Sequence, residues 1–162
     1  MSPVNIIRKA AAEKIHILAI TDHNSLRHCA LAVEIGEHLK DALPDGVVYA
    51  NLREIIDWQG PQILEEIARQ IFQAMGLSFT PANTIIAQLF EKLRTFKGLL
   101  ILDNFAAATQ FTSFLNQLVN SSEYSRLLVT SHEPIRLEGG IVLQVSGLEY
   151  PAPGEEPLQC EA

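Results

Sequence analysis

Four side chains carry the residue types that metal or phosphate chemistry needs: Asp22, His23, Asp103 and His132. Asp22 and His23 stand together in a polar elbow, Asp22-His23-Asn24-Ser25, directly after the apolar run from Ile15 to Thr21. Asp103 closes a second apolar run, Leu99-Leu100-Ile101-Leu102. His132 follows a third, Leu127-Leu128-Val129, through Thr130-Ser131. A catalytic zinc needs three protein ligands, so two residues on one elbow do not make such a site. Convergence of Asp22, His23, Asp103 and His132 would make an adventitious divalent-metal site. His16, His28 and His38 have no partner suggested by their spacing, and Cys29 has no activating base, so it reads as a packed small residue.

The elements that must position these groups are legible from apolar spacing. Ile15 to Thr21 reads as a strand, and a helix follows from about Leu26 to Asp41, with Ala30, Leu31, Val33, Ile35 and Leu39 for its inner face. Leu43-Pro44-Asp45-Gly46 is a turn signal, and Val47 to Leu52 a short strand. Ile63, Leu64, Ile67, Ile71, Phe72 and Met75 keep helical spacing up to Gly76. Thr80-Pro81 has the cap-then-proline pattern and predicts a helix start there. Leu99 to Leu102 is a continuous apolar run of the kind a doubly covered parallel strand needs. Asp103 then reads either as a metal-side carboxylate or as a cap on the helix that carries Phe111, Phe114, Leu115 and Leu118. Leu127 to Val129 and Ile141 to Val145 are the last strands. Strands alternating with helices predict a three-layer α/β/α sandwich with a parallel sheet and right-handed crossovers. Ile15–Thr21 is the expected central element. In such sheets function sits beyond the carboxyl ends of the strands, which puts all four candidate residues along one edge.

Composition narrows the partners. The chain has 162 residues and a net charge of −7, with no Lys/Arg cluster, so no nucleic-acid partner is expected. No run is long and apolar enough to span a membrane. Two cysteines, Cys29 and Cys160, make no disulfide framework and point to a cytoplasmic setting. Residues 1–150 read as one domain, opened by a short helix at Ser2-Pro3, and the Pro/Gly/Glu-rich residues 151–162 as a disordered tail.

A phosphate-binding loop of the form G-x-x-x-x-G-K-[ST] would occupy Asp22 to Cys29. Neither glycine, nor the lysine, nor the hydroxyl is present: those places hold Asp22, Arg27, His28 and Cys29. Even so, ALAVEIGEHLKDALPDGVVYANLREI, GLLILDN at 98–104, RLLVTSHEP at 126–134 and VLQVSGLEY fall in the order and spacing of a known family. From about Ala30 to Tyr150 the chain resembles the nucleotide-binding domain of NB-ARC or STAND-type P-loop NTPases. The resemblance implies strand order 5-1-4-3-2, with Asp103 as the Walker B-like, cofactor-side carboxylate. It also implies that His132 stands where the family usually has a phosphate-sensing arginine. Residues 1–29, SPVNIIRKAAAEKIHILAITDHNSLRHC after Met1, resemble instead the PHP family of metal-dependent phosphoesterases, through Thr-Asp-His-Asn-Ser. That family's early His-x-His is missing. The two resemblances meet near Leu26–Ala30 and imply a mosaic, arising by recombination or by deliberate design; a naturally degenerate NTPase is the other origin. The expected function is a catalytically inactive NTPase-like domain, with no cofactor and with ATP or ADP binding not expected. The alternatives are a weak metal-dependent phosphoesterase on Asp22-His23 and a degenerate nucleotide-binding switch.

Overall fold

The computed structural model describes residues 17–21, 27–55, 62–81, 83–105, 110–122, 124–133, 135, 137 and 139–144; at 17, 18, 21, 27–30, 54 and 144 it describes the backbone alone. In chain order the elements are β1 (Ile17–Thr21), α1 (Arg27–Leu39), β2 (Val47–Asn51), a 3-10 turn (Arg53–Ile55), α2 (Ile63–Ala74), α3 (Ile85–Leu93), β3 (Leu99–Asp103), α4 (Thr112–Asn120), β4 (Arg126–Ser131) and β5 (Gly140–Gln144). The five strands form one sheet in the order β2-β3-β4-β1-β5, the expected order read from the other edge. Every pairing is parallel. All carboxyl ends therefore lie on the same edge. β1 has a partner on each side, but β4, not β1, holds the middle of the sheet.

Strand alternation splits the core into two layers. Ile20, Leu99, Ile101 and Leu128 face α1, where Ala32 and Ile35 meet them. Ala19, Val48, Ala50, Leu100, Leu102, Leu127 and Val129 face the other way, against Ile67, Ile71 and Phe72 of α2, Leu89 and Leu93 of α3, and Leu115 and Leu118 of α4. This is why β3 is apolar at four consecutive positions: it is buried on both faces along its whole length. Ile135, in the connection from β4 to β5, is fully buried in the second layer and pins that connection to the core.

Local chemistry sets the helix limits. α2 ends in a Schellman arrangement, with Leu77 N–H donating to the Phe72 carbonyl at 2.9 Å and Gly76 N–H to the Gln73 carbonyl at 3.0 Å. Gly76 takes φ +67°, the left-handed conformation this stop requires. α3 does not start at Thr80-Pro81. Its cap is Thr84, whose hydroxyl accepts from Ala87 N–H at 3.3 Å. The Gln88 side chain explains the shift: its amide accepts from Thr80 N–H at 3.0 Å and donates to the Thr80 and Asn83 carbonyls at 2.8 and 2.9 Å. With Thr80 satisfied in this way, the segment forms a braced loop ahead of the helix. The entries to β2 and β3 lie close together, with Leu99 N–H donating to the Gly46 carbonyl at 3.0 Å. A Cβ on Gly98 would stand 2.6 Å from that carbonyl oxygen, so only glycine fits.

Two substitutions test this packing by chemical denaturation. Ile20 is 0% exposed, and Ile20→Ala is expected to lower stability by about 2–5 kcal/mol. Gly98→Ala must push backbone apart and is expected to cost about 1–3 kcal/mol. A midpoint unchanged by either would contradict the corresponding contact.

Candidate functional site

The carboxyl edge of the sheet holds a buried polar cluster centred on Asp103, the last residue of β3. Its side chain lies on the α1 face by alternation with Leu99 and Ile101. Register places Asn51 of β2 opposite Asp103, so Tyr49, two residues back, shares that face. Leu102 pairs with Val129, which brings Thr130 of β4 alongside from the other side.

Asp103 is 1% exposed, and both of its carboxylate oxygens are engaged. The Tyr49 hydroxyl donates to Oδ2. Thr130 Oγ1 donates to Oδ1 at 2.5 Å. Asn104 Nδ2 donates to Oδ2 at 3.3 Å. The Thr130 hydroxyl also accepts from Asn104 N–H at 2.9 Å. Asn104 reaches that position at φ +59°, a left-handed conformation that asparagine tolerates better than most residues. Next to it, Phe105 N–H donates to the Thr130 carbonyl at 2.9 Å, and Leu52 N–H to the Asp103 carbonyl at 2.8 Å. Side-chain bonds to the carboxylate and backbone bonds beside it together tie the ends of β2, β3 and β4 around Asp103.

The four sequence candidates fare differently. Asp103 lies at the carboxyl edge, as topology requires. It does not cap the following helix, because α4 begins after Phe111 with no side-chain cap. His132 is exposed on the turn after β4. Asp22 and His23 fall outside the described residues, between the end of β1 and the start of α1. Among the described residues, no three His, Cys, Asp or Glu side chains gather as a metal site. Sequence reasoning missed Tyr49 and Thr130. A tyrosine in an edge strand and a threonine closing an apolar one become partners of Asp103 only once strand pairing and register are known. An open groove of ≈ 660 Å³ between α3 and α4, lined by Phe90, Arg94, Gln117 and Ser121 among others, lies at the opposite edge, where those helices end. It is separate from this cluster. No described helix is long and apolar enough to cross a membrane.

Comparison with known proteins places this edge in context. No family model matches the chain, and no curated protein matches it. Solved structures do match in fold. Cdc6p from Pyrobaculum aerophilum superposes with a TM-score of 0.60 at 15% identity, over 88% of this chain and 43% of that one. A chain of the Drosophila ORC structure bound to GC-rich DNA and Cdc6 superposes with a TM-score of 0.50 at 11% identity, over 88% of this chain and 54% of that one. The chain thus spans about half the length of these neighbours, or less. At such low identity the likeness speaks to architecture alone, and the architecture is that of a P-loop NTPase-like α/β domain.

Proposed function

We propose that this chain is a P-loop NTPase-like domain that neither hydrolyses nor usefully binds nucleotide, its phosphate loop having been replaced by the Asp22-His23-Asn24-Ser25 elbow. The observation that carries the reading is the sequence of that connection in this fold. In P-loop proteins the Gly-rich loop joins a strand to a helix. Here β1 ends at Thr21 and α1 begins at Arg27, and residues 22–26 stand between them in the sequence. They are Asp-His-Asn-Ser-Leu. Phosphate binding at such a join depends on glycines that let successive backbone N–H groups face the anion, and on a lysine for charge. Asp22 instead brings negative charge. Arg27 stands at the second glycine position, His28 at the lysine and Cys29 at the hydroxyl, all within α1.

The metal side of a nucleotide site fits no better. In the NTPase resemblance Asp103 would serve the divalent cation that accompanies the nucleotide. Its two oxygens already accept from Tyr49, Thr130 and Asn104. A cation would have to share these oxygens with the donors and reach a group that is 1% exposed. That burial and these donors support the reading of an inactive domain.

Within this reading the chain is a mosaic, with a PHP-like segment at 1–29 and an NB-ARC/STAND-like segment at 30–150. The Thr21-Asp22-His23-Asn24-Ser25 run supports the first segment. The order of the GLLILDN, RLLVTSHEP and VLQVSGLEY strands supports the second. A join inside a strand–loop–helix unit common to both would leave the sheet intact, and the domain would then be retained for its fold.

Isothermal calorimetry with ATP and Mg²⁺ tests the reading. Each lost charge-assisted phosphate contact removes about 1.5–3 kcal/mol, and several together move a micromolar site to beyond roughly millimolar. No heat of binding is expected at accessible concentrations. A saturable isotherm at about tens of micromolar would overturn the proposal.

A further inference from the structure

A P-loop NTPase-like fold leads one to expect the carboxylate at the end of β3 to be kept for a cation. The geometry points to a different assignment: Asp103 is a structural knot that joins β2, β3 and β4 at the carboxyl edge, with Tyr49 and Thr130 as its two straps. The inference deepens the reading of an inactive domain and rests on it for the contrast, but its evidence is the cluster itself.

Three observations carry it. First, the donors come from separate strands. Tyr49 reaches from β2 and Thr130 from β4, and they take different oxygens of the same carboxylate. A hard cation binds through carboxylate oxygens, and here it would have to share both with hydroxyls from neighbouring strands, on a group that is 1% exposed. Second, the cluster continues into the backbone. Thr130 Oγ1 spends its proton on Asp103 Oδ1 and uses a lone pair for Asn104 N–H at 2.9 Å, so one hydroxyl holds both the side chain and the left-handed turn that follows it. Third, β2 is an edge strand whose one partner in the sheet is β3. Its last residue is followed by the Leu52 N–H bond to the Asp103 carbonyl at 2.8 Å, so the Tyr49 strap and this backbone bond hold the same strand end. Tyr49 remains 38% exposed, which leaves its ring at the surface while its hydroxyl is turned inward. Buried polar groups are stable where their partners are complete, and here each carboxylate oxygen is supplied by the protein itself.

The test is a double-mutant cycle on Tyr49→Phe and Asp103→Asn, with Thr130→Val as a third variant, read by thermal melting and by amide hydrogen exchange. For a knot, each single substitution lowers the melting temperature, by about 2–8 °C. Tyr49→Phe costs clearly less when Asp103→Asn is already present, because the strap has lost its charged acceptor. Exchange at the Leu52 amide rises in Tyr49→Phe, and at the Asn104 amide in Thr130→Val. If Asp103→Asn does not fold, the exchange data on Tyr49→Phe and Thr130→Val still decide, since each local loss of protection is specific to its own strap. A carboxylate held ready for a cation gives the opposite pattern. Asp103→Asn then raises the melting temperature, as relief of a strained functional group does. Wild-type protein then also gains stability saturably with MgCl₂ or MnCl₂ alone, and loses that gain in Asp103→Asn. Either result, or unchanged exchange at both amides, would overturn the assignment. ATP binding by the wild-type protein would instead strike at the inactive-domain reading and leave the cycle to be judged on its own numbers.

Discussion

The structure depends on one constraint: a parallel sheet must be covered on both faces, because its strands are too apolar to meet water on either. β3 shows it most plainly, with every residue from Leu99 to Asp103 buried. α1 covers one face, through Ala32 and Ile35, while α2, α3 and α4 cover the other. Chain order follows from the same demand. A strand that returns in the same direction needs a crossover, and the crossover segment supplies the cover. The connection from β4 to β5 has no described helix, and it contributes Ile135 to the core.

The constraint also gathers polar chemistry at one place. Five parallel strands end together, so side chains that close apolar runs meet at a shared edge. In an active nucleotide site that convergence is used for phosphate and metal. Here it brings hydroxyls of β2 and β4 to the carboxylate that ends β3. A carboxylate 1% exposed cannot remain without donors, and the hydroxyls of Tyr49 and Thr130, with the Asn104 amide, meet that need from within the chain.

Likeness of fold and likeness of sequence separate in this domain. The likeness to Cdc6p and to the ORC chain lies in the course of the backbone, at 15% and 11% identity. It rests on the sheet and its two apolar layers, which the buried residues of both faces hold together. Architecture is preserved by burial, whereas chemistry depends on a few residues at one edge that can change without disturbing it.

Much of this was legible in the sequence, and the physical reason is periodicity. Burial on one face of a helix or both faces of a strand leaves a local pattern, so the runs at 99–102 and 127–129, the helical spacing from Ile63 to Met75 and the stop at Gly76 all announce themselves. The order of strands was legible through resemblance, and the position of Asp103 at the functional edge through topology. What the tertiary structure decided is who meets whom. Thr80 gives up its expected role as a cap because Gln88, eight residues on, supplies its hydrogen bonds. Asp103 does not cap the helix that follows but accepts from Tyr49, 54 residues away, and Thr130, 27 residues away. These partners are joined by strand register, a property of paired chains that no single run of residues records; the composition of each strand is local, but the company its last side chain keeps is set by the sheet.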